Sequence, residues 1–255
     1  MKHKLNTAVG CLSLLICFVF FRESPYFWTI IVSIVVLFNL ILASGILFLR
    51  FEYFYPAVYK NSSPEVILTF DDGPDPVHTA EVLDILQKYE IKALFFVIGK
   101  KATEHPELIR RIIDEGHEIG NHTQNHPIFF AMYSRKKIAA EIDAAEKNLA
   151  ALTKREIRLF RPPIGYMNPS IASVLKKRTL KIVGWNVRSY DSFKNEAQLL
   201  TRLIRLTKKG SIVLMHDNLA HTSVVLEAYI QRAQSNGIIF AKQEQLKKFI
   251  HEIHH

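Results

Sequence analysis

The apolar and polar positions divide the chain into two unequal regions that meet near residue 50. Before that point nearly every residue is apolar in two runs, 8–21 and 27–49, which the polar segment Arg22-Glu23-Ser24-Pro25 separates. As a helix the second run is about 35 Å long, which crosses a hydrocarbon core of about 30 Å, whereas the first reaches only about 21 Å. The pattern therefore predicts that residues 1–50 form a membrane anchor of one or two hydrophobic helices.

The charges around the apolar runs leave open which side of a membrane the rest of the chain occupies. Lys2 and Lys4 precede the first run as in a secretion signal, but Phe20-Phe21-Arg22 offers no small-residue cleavage site, so we expect a retained anchor. If both runs span with these lysines inside, the positive-inside rule places residues 51–255 in the cytosol. If only one run spans, the same residues lie outside.

Beyond residue 50, short apolar runs alternate with amphipathic segments. The runs predict strands at 66–70, 93–98, 118–120, 157–160, 181–185, 211–215 and 238–240. The amphipathic segments predict helices at 79–89, 107–115, 134–152, 169–177, 196–207, 224–235 and 244–254. Repeated strand–helix units form a parallel sheet with helices outside, so about seven of them predict an α/β fold, a distorted (β/α)7-type barrel.

Composition excludes several classes of protein. With 49% hydrophobic and 22% charged residues, the chain is neither disordered nor a low-complexity fibre. Both cysteines, Cys11 and Cys17, lie in the first apolar run, which excludes a disulfide framework and a cysteine-based zinc site. Any bound metal must therefore use histidine and carboxylate ligands. The formal charge of +9 favours anionic partners such as a phospholipid surface, but no basic run is dense enough to indicate nucleic acid.

Chemically reactive side chains gather where the predicted strands end. Functional residues of parallel α/β folds lie in the loops at the C-terminal edge of the sheet. Four segments occupy such positions: Asp71-Asp72, Asn121-His122, Arg161-Pro162 and His216-Asp217. We therefore expect these segments to meet at one end of the barrel.

Two of these segments contain residues suited to metal-assisted hydrolysis. Asp71 and Asp72 are adjacent at a strand end, so one could bind a cation while the other acts as a base toward water. His122 and His126 are four residues apart, and one helical turn would place both imidazoles on one side. Solvated aspartates and ordinary hydrogen-bonding histidines show the same spacings, but two imidazoles near a carboxylate fit a catalytic zinc set.

Several motifs in order resemble those of the NodB-type polysaccharide deacetylases of carbohydrate esterase family four. They are Thr69-Phe70-Asp71-Asp72-Gly73-Pro74, His122-Thr123-Gln124-Asn125-His126-Pro127, Arg161-Pro162-Pro163-Ile164-Gly165 and Leu214-Met215-His216-Asp217. The resemblance implies that residues 51–255 form a NodB homology domain. It also implies a metal-dependent hydrolase that removes acetyl groups from N-acetylated sugars of a glycan, such as peptidoglycan, a chitin-like polymer or an exopolysaccharide.

The resemblance implies a role for each matching residue of the reaction centre. Asp71 would be the general base, and His216 would be the general acid that protonates the departing amine. Asp72, His122 and His126 would bind the divalent metal. Zinc is the expected metal, with cobalt or nickel as alternatives.

Three further residues take supporting roles by the same resemblance. Arg161 would orient Asp71 through a charge-assisted hydrogen bond. Pro162 would shape the substrate groove, and Leu214 would line the pocket for the acetyl methyl group.

The fourth motif of the family departs from the usual Asp-x-x-Asp-Trp arrangement. Arg188 stands where the first aspartate is expected to support the catalytic histidine, and Ser192 replaces the tryptophan. A cation beside His216 would lower its pKa, unless Asp191 or Asp217 compensates. The sequence alone leaves this question open.

Two alternative functions follow from these uncertainties. A domain facing the cytosol would suit a lipid-linked sugar at the bilayer surface, which the enzyme would deacetylate or deformylate. Alternatively, Arg188 could mark a glycan-binding membrane protein that has lost catalytic activity. In every case we expect a membrane location.

Overall fold

A computed structural model of the chain describes residues 2–254, so Met1 and His255, the outer ends of the two predicted regions, lie outside the described residues. Eight parallel strands form one sheet in the spatial order β1-β6-β5-β4-β3-β2-β8-β7. The strands are β1 (Ala57–Val58), β2 (Ile67–Asp71), β3 (Ala93–Val97), β4 (Glu118–Asn121), β5 (Leu159–Phe160), β6 (Lys181–Val183), β7 (Val187–Arg188) and β8 (Ile212–His216). The sheet curls into an open barrel with β1 and β7 at its edges, which confirms the predicted α/β barrel.

Within residues 2–254, ten helices accompany the sheet. They are α1 (Lys2–Phe21), α2 (Phe27–Leu47), α3 (His78–Lys88), α4 (Gly99–Glu104), α5 (Pro106–Asp114), α6 (Arg135–Thr153), α7 (Pro169–Leu175), α8 (Glu196–Leu206), α9 (Ala220–Ser235) and α10 (Gln243–His254). Short 3-10 turns lie at Leu49–Phe51, Phe130–Met132 and Pro163–Gly165. The predicted strand at 238–240 is wrong, because only one bridge, between Val66 and Phe240, forms there.

The two faces of the sheet bury different sets of side chains. One face, with Leu68 and Phe95, packs beneath the outer helices. The opposite face, with Ile67, Leu94 and Phe96, fills the barrel interior. Helix α10 closes the end of the barrel at which the strands begin, here called the lower end. Each fully buried leucine, isoleucine or phenylalanine contributes about 1.5–3 kcal/mol to folding. The lower half of the barrel is therefore an apolar core, and polar groups enter only at the C-terminal ends of the strands.

The first two helices form an antiparallel hairpin attached to the barrel. Both are long and apolar enough to cross a membrane, and only 6% of each apolar window is buried within the protein. Each is about 30 Å long, because residues 2–7 extend α1 beyond the apolar run. The backbone N–H of His3 donates to the carbonyl of Tyr53 at 3.2 Å, and Lys2 Nζ donates to the carbonyl of Phe51 at 2.7 Å. The start of α1 and the end of α2 thus lie at the same end, against the barrel.

The closure of the lower barrel by α10 leads to a stability prediction. Leu246 on α10 is fully buried, so Leu246→Ala should lower the free energy of unfolding by about 2–5 kcal/mol through lost burial and a residual cavity. Thermal or denaturant unfolding of the detergent-solubilised chain measures the change. Ile239→Ala is the matched control, because Ile239 is 61% exposed and should change stability little. Equal effects of the two substitutions would contradict the assignment of α10 to the core.

Candidate active site

The first site loop follows β2, and its backbone turns two adjacent aspartates in different directions. Asp71 is the last residue of β2 and pairs in register with His216 of β8. Asp72 follows with a φ of 73°, in the left-handed region that non-glycine residues seldom adopt. Gly73 permits a close approach to the next segment, because a Cβ there would overlap the carboxylate of Asp217. Asp71 consequently points into the barrel while Asp72 faces the neighbouring loop.

The second site loop follows β4 and carries both histidines. Asn121 accepts a hydrogen bond from the backbone N–H of Thr123 at 2.7 Å, and the Thr123 hydroxyl accepts one from the backbone N–H of His126 at 3.1 Å. Thr123 and His126 have φ values of 70° and 48°, so the segment is a compact loop. The segment is therefore not the helical turn that the four-residue spacing would allow. The loop nevertheless brings the His122 and His126 rings together, with their centroids 4.8 Å apart.

Asp72, His122 and His126 converge on one point. Asp72 Oδ1 lies 3.5 Å from His122 Nε2 and 3.3 Å from His126 Nε2. One potential ligand atom from each residue lies within 4.8 Å of the other two. Asp72 Oδ1 is buried and has no hydrogen-bond partner among residues 2–254. An unsatisfied buried carboxylate oxygen between two imidazoles is the arrangement that a divalent cation would satisfy.

Hydrogen bonding, burial and neighbouring charges affect the protonation of the three candidate ligands. His122 Nδ1 lies 2.7 Å from the carbonyl oxygen of Arg161, which can only accept, so Nδ1 carries a hydrogen and Nε2 is the atom that faces Asp72. Burial and the neighbouring His122 lower the pKa of His126, which favours the neutral ring. Burial alone would raise the pKa of Asp72, but the three surrounding imidazoles outweigh it and hold that pKa well below its ordinary value. Burial opposes protonation of His122, but the carboxylates of Asp71 and Asp72 outweigh it and raise the pKa of His122, so a metal bound at Nε2 would displace a proton.

Arg161 lies inside the barrel and holds Asp71. Its side chain is fully buried, and Nη1 donates to Asp71 Oδ1 at 2.6 Å and to Thr69 Oγ1 at 2.9 Å. Its Nε and Nη2 donate to the backbone carbonyls of Val183 and Gly184 at 2.8 Å and 2.9 Å. Asp71 Oδ2 remains 3.8 Å from His122 Nε2. Arg161 therefore occupies one oxygen of Asp71 and leaves the other facing the candidate metal ligands.

His216 approaches the same point from β8 and is supported by Asp191. Asp191 Oδ1 lies 2.7 Å from His216 Nδ1, and Asp191 Oδ2 accepts the His216 backbone N–H at 2.7 Å. His216 Nε2 lies 3.9 Å from Asp72 Oδ2. Burial opposes protonation, but Asp191 and the carboxylates of Asp71 and Asp72 outweigh it and raise the pKa of His216 to about 9. A protonated His216 at neutral pH can donate a proton.

In the fourth motif, Asp191 supports His216 in place of the first aspartate of the usual arrangement. Arg188 does not leave His216 without a carboxylate, because the fully buried Asp191, three residues later, makes that contact. The Arg188 guanidinium instead lies over the rings of Trp185 and Tyr190, 5.6 Å and 5.1 Å from their centroids. The sequence signal for this contact was Asp191, three residues after β7. Spacing could not show whether Asp191 or Asp217 would turn toward His216.

The remaining sequence candidates occupy supporting positions. Pro162 is buried directly after Arg161, and Leu214 is 2% exposed on the barrel-facing side of β8, two residues before His216. Asp217 binds Thr79, whose Oγ1 donates to Asp217 Oδ2 at 2.6 Å, and burial raises the pKa of Asp217 to about 7. Sequence reasoning missed Lys101, whose Nζ donates to the Asp72 carbonyl at 2.8 Å and so holds the turn.

The chain is similar to several known polysaccharide deacetylases. The family model described as polysaccharide deacetylase matches residues 59–183. The peptidoglycan-N-acetylglucosamine deacetylase of Bacillus cereus is 32% identical over 198 residues, covering 75% of this chain and 92% of the relative. The chitooligosaccharide deacetylase of Sinorhizobium fredii is 36% identical over 156 residues, covering 61% and 73%. The solved structure of a CE4 family pseudoenzyme from Bacillus anthracis is 25% identical with a TM-score of 0.68, covering 75% of this chain and 68% of that one.

The contact between Asp191 and His216 can be tested directly. Asp191→Asn should lower the pKa of His216, because it removes the charge that favours the imidazolium while burial continues to disfavour it. Histidine NMR titration of the metal-stripped protein measures the pKa. Asp143→Asn, which removes an exposed partner of Arg178, is the control and should leave His216 unchanged. An unaltered His216 titration in Asp191→Asn would show that Asp191 does not support it.

Proposed function

The chain belongs to the polysaccharide deacetylase family of hydrolases, and we propose that it removes acetyl groups from N-acetylated sugars in a metal-dependent reaction. One observation supports this proposal above the others. Asp72, His122 and His126 bring three potential ligand atoms together beside a second carboxylate, Asp71, which Arg161 holds in place. This arrangement separates a metal site from a base, as metal-assisted hydrolysis of an amide would use them.

Asp72, His122 and His126 would hold the divalent cation. Two imidazole nitrogens and a carboxylate oxygen suit zinc, and the same ligands accept cobalt or nickel. When bound, the cation would supply Lewis acidity toward the acetamide carbonyl and would make water easier to deprotonate. The buried, unsatisfied Oδ1 of Asp72 is the atom that most needs such a partner.

Asp71 and His216 would move the protons. Asp71 would accept a proton from water at Oδ2, because its Oδ1 is engaged by Arg161. His216 would carry its proton on Nε2 and deliver it to the departing amine nitrogen, while Asp191 holds Nδ1. The products would be acetate and a free amino sugar. Arg161 would act as a positioning residue, because it contacts Asp71 from inside the barrel.

Pro162 and Leu214 would contribute to substrate recognition. Pro162 follows Arg161 at the end of β5, so its rigid backbone would shape the groove wall. Leu214 lies on the same face of β8 as His216 and would offer an apolar contact to the acetyl methyl group. The substrate class would be an N-acetylated glycan such as peptidoglycan, a chitin-like polymer or an exopolysaccharide.

The anchor hairpin favours a second candidate substrate. With both ends of the hairpin against the barrel, two spanning helices would place residues 51–255 on the same side as the N-terminus. Lys2, Lys4 and Arg50 lie at that end, whereas Arg22 beside Glu23 lies in the far turn. The positive-inside rule would then put the barrel in the cytosol, where a lipid-linked sugar would be deacetylated or deformylated.

The alternative of a catalytically inactive glycan-binding protein is less well supported. It depended on Arg188 depriving His216 of its carboxylate, and Asp191 supplies that carboxylate. The family includes a protein described as a pseudoenzyme, so an activity assay is the necessary test.

The central prediction concerns Asp71. Asp71→Asn should abolish release of amine from N-acetylglucosamine oligomers, because the amide cannot accept the proton from water. Metal analysis of the same preparation should show that zinc is retained, since Asp72, His122 and His126 are intact. Asp84→Asn, an exposed surface change, is the matched control. Substantial turnover by Asp71→Asn with bound metal would refute the assignment of the base.

The hairpin makes a separate prediction about topology. In a Cys11→Ala, Cys17→Ala background, Glu23→Cys tests the far turn and Gln234→Cys tests the barrel, since both positions are exposed. A membrane-impermeant maleimide should label Glu23→Cys in intact cells, but Gln234→Cys only after lysis. Labelling of Gln234→Cys in intact cells would place the barrel outside and favour a glycan of the envelope.

A further inference from the structure

A surface loop beside the site leaves large apolar side chains uncovered. Residues 128–132, here called the rim loop, begin two positions after His126. Within it Ile128, Phe129 and Met132 are 70%, 67% and 81% exposed. Isolated exposed apolar residues need no explanation, but three in one loop at the edge of a site indicate an interaction surface.

The rim loop is continuous with the end of α2. Its central residue, Phe130, is 1% exposed and belongs to an apolar cluster that includes Leu42 and Ile46 of α2. The Ile46 carbonyl accepts the backbone N–H of Met167 at 3.1 Å, and the neighbouring Asn168 donates from its side chain to the Ala131 carbonyl. The loop is thus held in place next to the residue at which the second hydrophobic helix reaches the barrel.

A cluster of unpaired cations follows the rim loop. Helix α6 begins with Arg135, Lys136 and Lys137, all exposed, and has no acidic residue in its first turn. Cations at a helix N-terminus oppose the helix dipole, so this arrangement costs stability within the isolated protein. Among residues 2–254, no carboxylate forms an ion pair with these three side chains, and Lys137 Nζ lies 3.7 Å from the centroid of the Tyr133 ring. An anionic surface outside the protein would offset that cost.

We infer that the rim loop and the Arg135–Lys137 cluster dock on the surface of an anionic phospholipid bilayer. Apolar side chains beside cations are the combination that binds lipid interfaces. Continuity with α2 favours the bilayer over a protein partner, because α2 would deliver the loop to the membrane surface. This inference rests on the proposed anchoring role of α1 and α2, but it does not depend on catalytic activity.

Docking would set the direction from which substrate arrives. The rim loop is joined to the candidate metal ligand His126 by Pro127 alone, so the mouth of the site would open close to the headgroups. A sugar attached to a lipid would then reach the site within the membrane surface, whereas a long soluble polymer would have to approach along it.

Depth-dependent quenching tests the docking. In the Cys11→Ala, Cys17→Ala background, bimane on Met132→Cys would report the rim loop, and bimane on Ile239→Cys would be the matched control. Ile239 is 61% exposed, and its carbonyl accepts the backbone N–H of Val66. Val66 lies just before β2, at the end of the barrel opposite the candidate site. In phosphatidylglycerol nanodiscs holding the full chain, brominated lipid should quench the Met132→Cys label and its emission should shift to the blue. The control should show neither change.

The charged cluster is tested by lipid exchange. Arg135→Glu with Lys136→Glu should reduce the quenching in phosphatidylglycerol, whereas uncharged phosphatidylcholine should support little quenching for either protein. Equal signals from Met132→Cys and Ile239→Cys would overturn the docking while leaving the anchor and the enzyme intact. A blue shift without quenching would show that protein covers the loop, which also overturns it. Failure of the chain to enter nanodiscs would overturn the anchor together with the docking.

Discussion

The ion pair between Arg161 and Asp71 links the packed interior of the barrel to the candidate active site at its edge. A guanidinium shielded from water would be very costly unless each donor met an acceptor, and here its partners come from β2, from β6 and from Gly184 directly after β6. The Phe96 ring lies beneath the group, 4.1 Å from its central carbon. Removing one partner of such a buried pair costs about 3–5 kcal/mol. The candidate base Asp71 is therefore held by the same contacts that join the strands.

The same residue also orders the neighbouring loop. The Arg161 carbonyl fixes the hydrogen on His122 Nδ1, and its guanidinium fixes one oxygen of Asp71. The orientation of a candidate metal ligand and that of the candidate base therefore depend on one side chain and its own backbone. Support of this kind keeps reacting groups within the narrow tolerance that hydrolysis requires.

Much of the architecture could be predicted because burial imposes a period on the sequence. Strands β2, β3 and β8 are five residues long and almost wholly buried, so their apolar runs stand out. Strands β1 and β7 have two residues each, too few for any period, and α4 is a short polar helix. Their existence depends on tertiary pairing, which a local pattern does not record.

The sequence predicted that the candidate site residues would lie together, but it did not predict the local conformation of their loops. Strand ends in a parallel sheet must meet at one edge, so Asp72, His122 and His216 could be placed near one another before any coordinates. Thr123 and His126 adopt left-handed conformations, so the loop is not the helical turn that the spacing would allow. The Asn121 side chain stabilises this loop by accepting the backbone N–H of Thr123. The contact of Asp191 with His216 follows a turn at Tyr190, which has a φ of 60°. The spacing of residues along the sequence does not predict this left-handed conformation.

The two outermost strands are short, which would have a consequence if the proposed anchor holds the protein in a bilayer. Ala57–Val58 and Val187–Arg188 end the sheet with only two residues on each side. A bilayer concentrates its proteins, and a long unpaired edge would then recruit the edge of a neighbouring copy through backbone hydrogen bonds. With so few free amides and carbonyls to offer, the barrel gives such a neighbour almost no template, which favours molecules that diffuse separately rather than polymerise.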